Sequence, residues 1–480
     1  MSSDPSTKEE IVDETTCERI MGTTGNGKNC WTDHETGKIT PTNPIEDPYS
    51  STATSTTPTT VPVTTSNTLV SNLQKELPTI ESSANSNIIQ STMLTVAEPS
   101  FTQLEEDYLL EAWRSTYVSG AAGFHIKRLE TEFSSKIAGC KYGVACANGT
   151  VAIHLAWKAL NLQPGDEVLL PDWGYVASAA ATVTAGGIPV LVDCDKTGRM
   201  DPEAIRAAII PGQTKYLMVV HLYGHPCDMV SIMKIANEFQ LIVLEDCAEA
   251  HGALCNGKLC GSFGHASTYS FFANKVMTTG EGGIVCTNDS DLATRLNFLC
   301  THAMSTDVRY YHTEIGFNYR LSNLLAAVGC AQLERFDDLI LKRKKIIEMY
   351  QEALNGFCGI RINPRFDDNV TLCPWLASLY LSDSMSFCRD EICKILKNDF
   401  KVDTRPFFYP MSIMPPYKRY ETVTKDGRGK PTTGANRMAT LGFVIPTIPD
   451  MPVSDVQYVV NAIKDILTRV ESGDIQSKSY

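Results

Sequence analysis

Three things are missing from this 480-residue chain, and each removes a class of function. Basic charge is in deficit. Lys and Arg number 42 against 55 Asp and Glu, a net charge of -13 at pH 7. The electrostatic footprint of a nucleic-acid or anionic-membrane binder is therefore absent, although a few local donors could still hold one phosphorylated ligand. No apolar run approaches the length of about 18 residues that crosses a bilayer, and the opening MSSDPSTKEE carries no apolar signal segment. Cys255 and Cys260 have no second ligand pair at zinc spacing, so no metal site is expected. The sixteen cysteines then read as reduced, mostly buried thiols of a cytoplasmic protein.

What is present falls into zones. Residues 1-95 form an extension in which twelve of the twenty positions from Ser51 to Val70 are Ser or Thr. Such a stretch cannot bury enough apolar surface to offset its chain entropy and is expected to be disordered. From about Phe101, Leu104, Tyr108, Leu109 and Trp113 recur at helical spacing. Runs rich in Val, Leu and Ile then predict strands at 143-146, 166-170, 188-193, 215-221 and 241-245. Helical patterns lie between them at 150-160, 175-185, 202-209 and 228-239. This alternation predicts βαβ units and a mostly parallel sheet, in a large α/β domain over 96-345. The runs 266-272 and 283-287 flank a Gly-rich turn and are expected to add strands. One long helix over 326-354 is expected to lead into a smaller α+β domain, 346-480.

Four local features carry chemistry. Lys275 lies in SFFANKVMTTGEGG, among Phe271, Phe272, Ala273, Val276 and Met277. A lone lysine is ordinarily a solvated charge, but burial there would lower its pKa and favour a nucleophilic amine. Asp246 and Glu249 follow the run LIVL, where ligands of open α/β sheets bind. An aspartate there can pair with the pyridine nitrogen of pyridoxal phosphate and Glu249 can reach its phenolic oxygen, or the two can simply cap a helix. Gly149 and Thr150 open a helix, which suits a phosphate as well as it suits an ordinary N-cap at Asn148. Ser270 could give the same phosphate a hydroxyl, and Tyr175 an aromatic face to the ring, although a lone tyrosine is more often core. Each feature has a bland explanation. Their order and spacing fit one site.

The blocks EDCAEAHGA, GSFGHASTYSFFANKVMTTGEGG, HLYGHPCDM and GFNYRLSNLLAA resemble the DegT/StrS-type sugar aminotransferases, of pyridoxal-phosphate fold type I, over about residues 100 to 450. RYYHTEIGFNYRLSNLLAAVGCAQLERFD and TRPFFYPM are similar to the perosamine-forming branch, which aminates C4 of GDP-4-keto-6-deoxymannose. The resemblance implies that Lys275 forms the Schiff base, and that Asp246 and Glu249 bind the pyridine nitrogen and the phenolic oxygen. It implies that Gly149, Thr150 and Ser270 hold the phosphate and that Tyr175 stacks on the ring. Asn318 would reach the neighbouring subunit's cofactor phosphate, making a homodimer with shared sites. Trp375, Arg405 and Tyr409 fall in blocks like those that contact the sugar nucleotide, although a Pro-Phe-Phe-Tyr-Pro run serves equally as packing. L-glutamate is the implied amino donor.

Four features depart from the family pattern: His265 stands in place of Asp, Asn148 in place of Ser, 424-447 lacks the usual run of small residues, and the Ser/Thr-rich N-terminal extension is foreign to the family. One rival reading is a nucleotide-sugar 3-dehydratase, but that type carries His where this chain keeps Lys275. The family also leaves open an aminotransferase of UDP- or dTDP-linked keto-sugars. A rival of another class is a non-catalytic binding protein on the same fold, against which Lys275, Asp246 and Glu249 together speak.

Overall fold

The computed structural model describes residues 92–121 and 123–475. The Ser/Thr-rich extension therefore lies almost wholly outside the described residues. Helices α1 (Gln103–Arg114) and α2 (Phe124–Phe133) come first. Thr102 and Glu105 close a reciprocal capping box at the start of α1.

The βαβ alternation is then realised as β1 (Tyr142–Cys146), α3 (Gly149–Ala159), β2 (Glu167–Pro171), α4 (Ala177–Ala185), β3 (Ile188–Val192), α5 (Pro202–Ala208), β4 (Tyr216–Val220), α6 (Met229–Glu238) and β5 (Ile242–Asp246). Strands Ala266–Ser270 and Gly283–Thr287 follow. In the nine-stranded sheet, β3, β2, β4, β5 and Ala266–Ser270 run parallel in that order, and Gly283–Thr287 is antiparallel between Ala266–Ser270 and β1. All five residues of β4 are buried, as expected for a strand with both faces covered. Fourteen cysteines are among the described residues, none of them in a disulfide there, and twelve of them are buried. Here they behave as small apolar fillers.

The expected single helix over 326-354 is two: α8 (Asn323–Glu334) and α9 (Phe336–Leu354), after α7 (Ser290–Cys300). Arg335 breaks the run with φ -94° and ψ 7°. Its guanidinium is held by Glu105 and by the Ser100 carbonyl. The break lets α8 pack on α1 and α2 while α9 packs on the C-terminal helix α12 (Val453–Glu471), after α10 (Arg389–Asn398) and α11 (Thr433–Leu441).

A second apolar core joins α9, α10 and α12 to a small sheet in which Ala377–Tyr380 pairs antiparallel with Gly442–Ile445. Between those two strands the chain returns to the large sheet, where Thr422–Thr424 pairs parallel with β3 and forms a hairpin with Gly427–Arg428. The irregular stretch 424-447 thus contributes strands to both the nine-stranded sheet and the small sheet.

Leu94 is already paired, donating to the Lys401 carbonyl at 2.8 Å and accepting from Asp403 N at 2.8 Å. Deleting residues 1-91 is expected to leave the thermal midpoint nearly unchanged. Deleting 1-95 should lower it, because Leu94 and its two backbone bonds go too; equal midpoints would contradict this.

Candidate active site

The carboxyl ends of the parallel strands open on a cavity of about 660 Å³. Asp246 ends β5 and Ser270 ends its neighbour, while Asn148 follows β1 and caps α3, its side chain accepting from Val151 N at 3.0 Å. Asn in place of Ser keeps the cap, since both types cap well. A Cβ on Gly149 would sit 2.9 Å from the Ser270 Cβ, and one on Gly283 would sit 2.7 Å from the Asn148 carbonyl carbon. Glycine is therefore required for the helix start to close onto Ser270 and Gly283. The result is a cradle of free N–H groups at the positive end of α3.

Lys275 reaches into the same space. Its Nζ lies 3.8 Å from Glu249 Oε1 and 4.2 Å from the centre of the Trp375 ring. Burial pulls the amine's pKa down, and the Glu249 and Asp246 charges oppose that shift. Glu249 Oε2 accepts from Tyr223 N at 2.8 Å. Burial nevertheless pushes its carboxyl up to about 7 against the pull of Lys275. Asp246 accepts from Ala248 N at 3.0 Å, and burial raises its pKa as well.

In the cofactor-free protein, Glu249 keeps a proton between pH 4.5 and 7 that the unfolded chain has released. Its contribution to stability therefore falls as pH rises through that window. Glu249→Gln is expected to raise the melting temperature of cofactor-free protein at pH 8, with the gain shrinking toward pH 4.5. A gain that is flat with pH would contradict the assignment.

Gly149, Thr150, Tyr175, Asp246, Glu249, Ser270, Lys275, Trp375 and Arg405 all line this cavity. Tyr175 is 57% exposed at the mouth, its ring 5.7 Å from that of Phe408. Two expected residues are not brought in. Tyr409 lies under the Arg389 guanidinium, 5.8 Å away, and Asn318 is exposed outside the cavity of its own chain. His265 is remote from the cavity, its Nδ1 accepting from Val243 N at 3.1 Å.

Sequence reasoning passed over Tyr223, which stands in the left-handed region at φ 50°. Its ring stacks on Phe408, its hydroxyl accepts from Phe408 N at 3.0 Å and its own N–H holds Glu249. The HLYG block was visible, but nothing in it announces that geometry. Thr268 and Asn274 are likewise unmarked in the sequence; they line the cavity, and Thr268 Oγ1 and Asn274 Oδ1 are buried without partners among the described residues.

These observations fit pyridoxal phosphate. The cradle suits its phosphate, and the amine of Lys275 suits its aldehyde. Asp246 is a buried carboxylate with no ion pair among the described residues, so a protonated ring nitrogen would supply the cation it lacks.

One grouping with metal-ligand chemistry, His221, Glu245 and Cys247, lies nearby. Its lone pairs are committed. Glu245 accepts from Gly261 N, Phe263 N and Gly264 N at 2.7–2.8 Å and faces His221 Nε2 at 3.3 Å. His221 Nδ1 accepts from Cys227 N.

GDP-perosamine synthase of Caulobacter vibrioides is 38% identical over 375 residues, covering 78% of this chain and 98% of that protein. GDP-perosamine synthase of Escherichia coli O157:H7 is 37% identical over 376 residues, covering 78% and 98%. Among solved structures, an aminotransferase from Psychrobacter cryohalolentis superposes with a TM-score of 0.69 at 30% identity, covering 78% of this chain and 99% of that one. The model of the DegT/DnrJ/EryC1/StrS aminotransferase family matches residues 100–464. With that match and those full-length relatives on a site built for pyridoxal phosphate, the chain belongs to the DegT/DnrJ/EryC1/StrS aminotransferase family, whose cofactor is pyridoxal phosphate.

Proposed function

We propose that this protein moves an amino group from L-glutamate to C4 of a nucleotide-linked 4-keto-6-deoxy sugar, GDP-4-keto-6-deoxymannose. The observation that carries the reading is the match, over almost their whole length, to relatives named GDP-perosamine synthase. Lys275 is retained where the dehydratase reading would need histidine, which favours amination.

When bound, the cofactor supplies a conjugated ring that accepts the electron pair left as a C–H bond next to nitrogen breaks. The remaining work belongs to the chain. Gly149, Thr150 and Ser270 would hold the phosphate and Tyr175 would cover the ring face, while Asp246 would face the ring nitrogen as a carboxylate and Glu249 the phenolic oxygen. Lys275 Nζ would be the amine that holds the cofactor's aldehyde. When free, it would take the proton from the donor carbon on one side of the transferred nitrogen and return it to the cofactor carbon on the other. Its depressed pKa suits that task, because a proton carrier works best with a pKa near the working pH.

Trp375 and Arg405, which line the cavity, are assigned to the sugar nucleotide, with Arg405 as the cation for its diphosphate; Tyr409, outside the cavity, is not. The site is completed by a second copy of the chain, whose Asn318 reaches the phosphate. Supporting this, Asn318 is exposed, and the segment before it exposes Val308, Tyr310, Tyr311 and Ile315.

A panel of GDP-, UDP- and dTDP-linked keto-sugars, with product identification, tests the reading. Amination at C4 of the GDP sugar is expected. Preference for another nucleotide, or amination at C3, would overturn the substrate assignment.

A further inference from the structure

Among the described residues, one buried cation has no carboxylate partner. Arg343, on α9, is 1% exposed, and its guanidinium donates to three backbone carbonyls instead. Nη1 reaches Trp375 O at 2.9 Å and Thr447 O at 3.0 Å, and Nη2 reaches Lys275 O at 3.3 Å. Nε has no partner. Burial pushes the guanidinium's pKa down to about 10, the mark of a charge held at a cost.

The three carbonyls come from separate parts of the fold: the Lys275 turn, the approach to strand Ala377–Tyr380, and the segment after strand Gly442–Ile445. Trp375 closes the circuit, its Nε1 donating to Asn274 O at 2.8 Å while its ring faces Lys275 Nζ. Both peptide carbonyls at Asn274 and Lys275 are thus held by groups outside their own turn. The lysine backbone otherwise has only its N–H bond to Phe272 O, at 2.9 Å.

We propose that Arg343 is a positioning residue for Lys275, fixing the lysine's peptide to Trp375 and to the small lobe so that Nζ is presented to the carbonyl it must bind. The proposal rests on Lys275 being the cofactor lysine. A misplacement of about 1 Å costs roughly a hundredfold in rate, so the effect should be visible without loss of the fold.

The test uses full-length Arg343→Met, which removes the donors, and Arg343→Lys, which keeps the charge and one donor group. The rate constant for uptake of pyridoxal phosphate by cofactor-free protein is expected to fall about 10- to 100-fold in R343M and to recover in part in R343K. kcat should fall by a similar factor while KM for the amino donor stays within about twofold. The pH midpoint of the bound cofactor's visible band should also shift.

A lowered melting temperature with unchanged uptake, kcat and band titration would overturn the proposal and leave Arg343 a stability residue only. If R343M does not fold, Arg343→Gln decides, since its amide has only two donors for the three carbonyls and carries no charge. Slower uptake supports the clamp, and wild-type uptake overturns it. Should slowed uptake place the cofactor on a lysine other than 275, the reading of Lys275 fails instead.

Discussion

Replacing Lys275 by alanine is expected to lower turnover by about ten-thousand-fold, the upper range for loss of a positioned proton carrier, while the protein still folds. The side chain enters the cavity rather than the core, so its removal leaves the strands untouched. It does remove the cation 3.8 Å from Glu249. Because Lys275 is what draws the Glu249 pKa down against burial, that carboxyl should titrate higher still in the variant. Transamination at the wild-type rate by K275A would contradict both roles given to the lysine. Circular dichroism and a melting curve separate lost chemistry from lost fold.

Asp246→Asn is expected to reduce kcat by about 10²- to 10³-fold, the usual scale for deleting one preorganised charge from a buried site. The substitution is nearly isosteric, and an amide oxygen can still accept from Ala248 N. What disappears is the negative charge that, on the proposed reading, would keep the ring nitrogen protonated. The variant should therefore bind pyridoxal phosphate yet process it slowly. Wild-type kcat in D246N would show that another group faces the ring nitrogen.

The strands were readable because a parallel sheet with both faces covered needs short, fully apolar runs separated by amphipathic helices. Asp246 was readable for the same reason, as the first charges after such a run mark its end. The break at Arg335 was not readable, since no proline or glycine marks it. It is set by Glu105, 230 residues earlier in the chain. Thr422–Thr424 joins the large sheet with too few residues to show a period. Arg343 sits in the basic run LKRKK and reads there as a solvated face; only tertiary packing buries it alone among its neighbours. Tyr223 was hidden because a left-handed φ on a bulky residue leaves no compositional trace. Asn318 was legible as a residue, yet its distance from its own cavity follows only from the folded chain.

The assignment of Lys275 underlies all of these expectations, and one measurement reaches it directly. Full-length protein saturated with pyridoxal phosphate is reduced with borohydride, digested and mapped by mass spectrometry. The account predicts one pyridoxyl group per chain, on the peptide carrying Lys275, and none when L-glutamate has first been added in excess without keto-sugar. A label on any other lysine, or none at all, would contradict it.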